Sequence, residues 1–274
     1  MWRNLIKVVG SGIVLVVILI AGVKLLMPKS TANVDAIETA SRLHASGNYD
    51  RAIEIYEQLL TQGVNDSVVF YNLGNAYYSI GDIGRAVANY NRAAQLDPRD
   101  PDIKANLELA RGQITEPFIE NDPGFIGVLS KITDGWLSVN ETAIVALSFW
   151  FLAGLLLIGI RYTRDRELRT GFQYATILVI LLLLLAGLSL GSRLYVEQSH
   201  PEGVVVVPTI AVSSEPNDGF ATDLNLSSGA EIRFVETNGA WGRLATPGDS
   251  LQNWIPLDTV EMVAALSPGL SLFG

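Results

Sequence analysis

The chain has 274 residues, 49% of them apolar, a formal net charge of −9 and no cysteine. That length leaves room for two small domains, and the missing cysteines remove disulfides, thiolate metal sites and thiol nucleophiles. The acidic balance gives no footing for nucleic-acid binding, which needs clustered Lys and Arg against phosphate.

The apolar content is concentrated in three runs, the first of them at the start of the chain. Val8 to Leu26 comes after Arg3 and Lys7 and is long enough to cross a hydrocarbon core of about 30 Å. A basic start and an apolar middle also describe a secretory signal. The apolar part is longer than a usual signal core, and Ser30-Thr31-Ala32 is the nearest candidate for cleavage. The expectation is an uncleaved signal anchor over 1–29, with a removed signal as the alternative. Both send the segment from about residue 30 to 142 out of the cytoplasm.

Next comes FYNLGNAYYSIGDIGRAVANYNRAAQLDP, from Phe70 to Pro98. Phe70, Leu73 and Tyr77 recur at helical intervals and make one apolar stripe, while Gly74 and Ala86 are small where two helices would cross. Gly81 opens a turn between them. Shifted back by 34 residues, Gly47, Arg51, Ala52, Ile53 and Tyr56 fall under Gly81, Arg85, Ala86, Val87 and Tyr90. These positions resemble the tetratricopeptide (TPR) helix pair, whose repeats bury their apolar faces only by stacking. The resemblance gives repeats at 33–66 and 67–100. A further helix at 101–114 starts at Pro101, which suits a first helical turn. Ile103, Leu107 and Ala110 there are spaced to cap the stack.

Residues 115–142 interleave Phe125, Ile126, Leu129, Ile132, Trp136 and Leu137 with Ser130, Lys131 and Asp134. That suits a connector with a short amphipathic helix at headgroup level; a plain loop with a few buried residues is the alternative. Two uncharged runs come next, Ala143 to Ile160 and Phe172 to Leu190, giving expected spans at 143–160 and 172–191. The loop between them, 161–171, carries Arg161, Arg164, Arg166 and Arg169 against Asp165 and Glu167, so the positive-inside rule makes it cytoplasmic. Residues 30–142 hold 8 basic and 16 acidic side chains, and residues 194–274 hold 2 and 10. Both acidic tracts fall on the side opposite the basic loop. The topology expected is N-terminus inside, with the TPR segment and the C-terminal region outside.

After a linker at 192–202 the apolar period changes. Gly203 to Val207, Thr209 to Val212, Leu226 to Val235, Trp241 to Ala245, Trp254 to Pro256 and Val260 to Val263 read as short strands between turn residues. Strands so short and numerous suggest a small closed barrel over 203–265, with a tail at 266–274. The order of a Val-rich start, Ser214-x-Pro216, Leu226-x-x-Gly229, Gly242 beside Trp241 and Trp254-Ile255-Pro256 resembles the bacterial SH3-like domain. Asn253 departs from it where glycine is usual, and 246–252 looks like an enlarged loop. Trp241 and Trp254, with no tyrosine beside them, read as core or rim rather than as a proline-binding groove.

No catalytic constellation is present. His44 and His200 have no second His or Cys at ligand spacing, and no phosphate loop, HExxH or GxSxG occurs. The expectation is a non-enzyme without metal or cofactor. By repeat phase the inner face presents Tyr71, Asn75 and Tyr78 from one helix and Asn106 from the next. Clamp-type TPR domains place Lys-x-x-x-Asn on one helix and Asn on the next to hold a peptide terminus. This sequence has both asparagines but Tyr71 in place of the lysine, which implies backbone recognition without strong carboxylate capture. That the four residues simply face water is the other reading.

The whole layout is a multi-domain membrane protein: an all-α TPR solenoid of two repeats and a capping helix, three transmembrane helices and a small all-β SH3-like barrel. It resembles the E-type protein of the Bacteroides aerotolerance (Bat) set, most specifically in the TPR segment and its NLELAR cap. The resemblance implies a bacterial inner-membrane protein without nucleic-acid partners. Its implied neighbours are von Willebrand factor A-domain Bat proteins and, indirectly, a cytoplasmic MoxR-type AAA+ ATPase. Two functions are the expectations: a membrane-anchored scaffold or chaperone-assembly subunit, or an envelope sensor whose SH3-like domain binds peptidoglycan or peptide.

Overall fold

The computed structural model describes residues 31–114, 137–199, 201–217, 219, 221–244 and 253–263. The first apolar run, the 115–136 part of the connector, the 246–252 loop and the 266–274 tail lie outside these residues. The described residues fall into two units, one over Leu137–Arg193, the other combining those up to 114 with those from Leu194 onward.

In the second unit five helices come first: α1 (Thr31–Ala45), α2 (Tyr49–Thr61), α3 (Ser67–Ser79), α4 (Ile83–Leu96) and α5 (Pro101–Arg111). The starts of α3, α4 and α5 are set by acidic caps that satisfy otherwise unpaired N–H groups. Asp66 accepts from Val68 N at 2.9 Å, Asp82 from Arg85 N at 3.1 Å, and Asp100 from Asp102 N at 2.8 Å. Gly47 and Gly81 sit at φ 81° and 82°, and each lets the chain turn back after a first helix. Matching bonds close the two turns, Asn48 N to Leu43 O at 2.9 Å and Asp82 N to Tyr77 O at 3.0 Å. One apolar core joins the helices, with Ala52, Tyr56, Leu73, Ala86, Tyr90, Leu107 and Ala110 all buried in it. Close crossing is demanding at one point. A Cβ on Gly74 would stand 2.7 Å from both Cδ1 and Cε1 of the Tyr90 ring.

The same unit holds seven strands: β1 (Glu202–Val205), β2 (Thr209–Ser213), β3 (Ala221–Ser227), β4 (Glu231–Asn238), β5 (Trp241–Leu244), β6 (Trp254–Pro256) and β7 (Val260–Met262). They pair antiparallel in the order β3-β2-β6-β5-β4-β1-β7. The inward side is apolar, with Val205, Val212, Leu226, Ile232, Phe234, Leu244 and Ile255 clustered around it. Gly203 and Gly242 flank the Phe234 ring, and a Cβ at either would collide with a neighbour. Trp254 is buried, whereas Trp241 is half-buried.

The closed barrel expected from the sequence is not formed among the described residues. The sheet is open, with β3 and β7 as its edges. The reason lies on the outer side of β7. Arg92 of α4 donates from Nε to Met262 O at 3.1 Å and again through Nη2. Val204 and Val263 are packed into the helical core rather than into the sheet's own. The end of β7 is thus turned to the helices and not to β3.

The Leu137–Arg193 unit is a hairpin of α6 (Val139–Tyr162) and the greater part of α7 (Arg166–Ser199). Ser138 and Glu141 form a capping box at the start of α6, and Asp165 caps α7 through Glu167 N at 2.8 Å. Only residues 163–165 between the two are non-helical, and α7 carries its helix through 192–199 of the expected linker. Ala153 and Leu156 meet Ala175 and Val179, and a Cβ on Gly159 would lie 3.3 Å from the Phe172 ring. Both helices are long and apolar enough to cross a membrane, each with a mean hydropathy of 2.5. Only 17% and 28% of their apolar windows are buried, so most of that surface faces outward, unlike a core helix.

Candidate peptide-binding groove

The site is built from the first helix of each helical pair, α1 and α3, together with α5. Three bonds with the same separation of 35 residues tie this row together. His44 Nε2 lies 3.2 Å from Ser79 Oγ, Asn106 Nδ2 donates to Tyr71 Oη at 3.0 Å, and Gln113 Nε2 donates to Tyr78 Oη. Helix neighbours one repeat apart stack in register, so residues near one repeat length apart meet repeatedly.

Asn75 stands at the centre. Its Oδ1 accepts from Tyr90 Oη at 2.8 Å and from Asn106 Nδ2 at 2.8 Å. The Tyr71 and Tyr90 rings meet with centroids 6.0 Å apart. Of the four residues singled out from the sequence, Tyr71, Asn75 and Asn106 therefore share one network. Tyr78 lies a turn further along α3 and is held by Gln113. All four are half-buried.

Sequence reasoning placed Tyr90 only in the core and passed over Gln113. Tyr90 has both roles. Its ring is buried beside Gly74 while its hydroxyl reaches through to Asn75. The signal for Gln113 was its 35-residue spacing from Tyr78, the same as that of Asn106 from Tyr71.

The chemistry left over is specific. Among the described residues, Asn75 Nδ2 and Asn106 Oδ1 make no hydrogen bond, so the network leaves an amide NH2 and a carbonyl oxygen to offer. Val68 lies one helical turn before Tyr71 and Leu109 one turn after Asn106, and they are 47% and 57% exposed. None of these residues is basic. The face can offer hydrogen bonds and apolar contact, but these residues provide no cation for a carboxylate. Among the described residues no group of three His, Cys, Asp or Glu could hold a metal ion.

Comparison with known families places this geometry. A model of the tetratricopeptide repeat matches residues 40–67, and a model described as TPR repeat matches residues 74–114. No curated protein matches the chain. The helical segment therefore contains tetratricopeptide repeats, a module of protein–protein interaction, and the matched residues include Asn75, Tyr90 and Asn106.

Proposed function

We propose that this protein is a non-catalytic, membrane-anchored scaffold or chaperone-assembly subunit of the bacterial envelope, whose TPR groove holds an extended segment of a partner. The observation that carries the reading is the pair of spare groups on Asn75 and Asn106. A peptide in extended form presents C=O and N–H groups along its edge, and a fixed amide donor beside a fixed amide acceptor suits them. Val68 and Leu109 on the same face would take apolar side chains.

The hairpin of α6 and α7, with the first apolar run, would anchor the chain in the inner membrane. The N-terminus would be cytoplasmic and the TPR and sheet domains extracytoplasmic. The likeness of the layout to the Bat set supports partners with von Willebrand factor A domains, and indirectly a MoxR-type ATPase. The sheet is open and has β3 as an added strand, but its Trp241-Gly242 and Trp254-Ile255-Pro256 strands support the SH3-like reading.

Site-specific photo-crosslinking in intact cells tests the groove. A benzophenone side chain at Val68 or Leu109 should give a discrete adduct with an envelope protein, and one at Gln58 of α2 should not. Equal adducts from all three positions would overturn the groove reading. Adducts formed only from Trp241 would move the function to the sheet domain and to an envelope sensor.

A further inference from the structure

The helices and the sheet domain are joined by more than chain connectivity. Glu231, at the start of β4, accepts from Arg111 of α5 through Nε at 3.0 Å and Nη2 at 2.8 Å, and also from Asn91 of α4. Arg92 of α4 is paired with Glu261 of β7 as well as with Met262 O. The helices and the sheet approach closely at two glycines. A Cβ on Gly84 would lie 2.6 Å from Val205 O, and one on Gly229 would lie 2.7 Å from Ile114 Cδ1. Val204 and Val263 share one apolar cluster with Leu107 and Ala110 of α5.

Most of these contacts fall on α4, while α5, the shortest of the five helices at 11 residues, is reached through Arg111 and the shared apolar cluster. The α5 helix carries Asn106 on one side and Arg111 at its last turn. A helix this short is marginal by itself, so its position comes from what packs on it. The α3 and α4 helices hold one flank; Glu231 holds another through Arg111, and Val204 lies in the same apolar cluster as Leu107 and Ala110. Glu231 is only 13% exposed and binds Arg111 in a two-pronged, charge-assisted contact, the geometry that fixes direction as well as distance.

We propose that the sheet domain is a brace for the groove: through Glu231 and Arg111 it fixes α5, and with it the alignment of Asn106 against Asn75. Glu231 and Arg111 are positioning residues that touch nothing in the groove. The consequence for partner binding rests on the groove reading above, whereas the brace itself does not.

Hydrogen exchange of the full chain in detergent, read by peptide and without any partner, tests it. Glu231→Ala should speed exchange in residues 101–111 by about tenfold or more, as a local opening, and leave 31–61 unchanged. Glu231→Gln, which keeps one acceptor, should fall between Ala and wild type. Gly84→Val, which wedges the sheet away from α4, should speed exchange in 101–111 and 202–205 together. Glu54→Ala breaks an exposed ion pair on α2 and should change nothing. Should Gly84→Val unfold the whole unit, the Glu231→Ala profile decides alone. If 101–111 exchanges at the wild-type rate in Glu231→Ala, the brace is refuted. Because no partner is present, that failure is distinct from failure of the groove to crosslink.

Discussion

Tyr90 Oη donates to Asn75 Oδ1 at 2.8 Å, and one repeat earlier Tyr56 Oη lies 2.9 Å from Ser41 Oγ. The two bonds are related by the same 34-residue shift that aligns the glycines and alanines. In each pair a buried second-helix tyrosine reaches a polar side chain on the first helix. The bond makes the groove asparagine part of the structure that holds the repeat together.

Asn75→Ala is therefore not a silent groove variant. It leaves the hydroxyl of Tyr90, which is 1% exposed, without its acceptor. An unpaired buried hydroxyl costs about 1–3 kcal/mol, more than loss of the bond alone. Tyr90→Phe removes the hydroxyl itself and should cost only about 1 kcal/mol. Pulse proteolysis in urea, reading the TPR fragment, should rank Asn75→Ala below Tyr90→Phe. The reverse order would remove the hydroxyl from the account.

Stability should fall at alkaline pH for a related reason. Burial pushes the phenols of Tyr77 and Tyr90 well above the ordinary value of 10.0, and Glu57 beside Tyr77 adds to its shift. A phenol is neutral when protonated, so a raised folded-state pKa favours folding fully below the unfolded value. That contribution is lost progressively as the pH climbs above about 10. Urea midpoints measured from pH 8 to 11 should drop at the upper end, and the drop should shrink in Tyr77→Phe and Tyr90→Phe. An unchanged slope in both variants would sink this assignment.

Gly74→Ala should destabilise the repeat by about 1–3 kcal/mol, since the new methyl meets a ring that is itself packed on all sides. Gly74→Leu should be worse. Gly47→Ala meets nothing within 4 Å, so only its positive φ opposes it and a cost of about 1 kcal/mol is expected. Thermal unfolding of the full chain in detergent, read out by proteolysis of the TPR segment, should give that order.

Reporter fusions after residue 30, near residue 115, at residue 166 and at the C-terminus should read out, out, in and out. Replacing Arg161, Arg164, Arg166 and Arg169 by neutral residues should loosen the orientation, because basic residues near span ends set it. An outside signal at residue 166 would reverse the topology.

Much of the helical half was legible in the sequence because its information is local. Gly47 and Gly81, Ala52 and Ala86, and Tyr56 and Tyr90 repeat at one spacing, and stacked neighbours are close in sequence, so phase alone predicts which side chains share a face. The apolar runs at 143–160 and 172–191 were equally plain, since length and lack of charge decide whether a helix can face hydrocarbon. Most strand positions were read from their turn residues, but β3 over Ala221–Ser227 was not, and neither was the way the sheet ends. Arg92 meets Met262, and Arg111 meets Glu231, across 170 and 120 residues. No periodicity encodes contacts of that reach. They exist only once the folded chain brings β1, β4 and β7 beside α4 and α5. There the guanidinium of Arg92 occupies the outer side of β7, and the sheet stays open. The same holds within the groove. Sequence phase put Asn75 on the inner face, but only packing showed its carbonyl oxygen already taken by Tyr90, because that bond depends on how closely Gly74 lets the two helices approach.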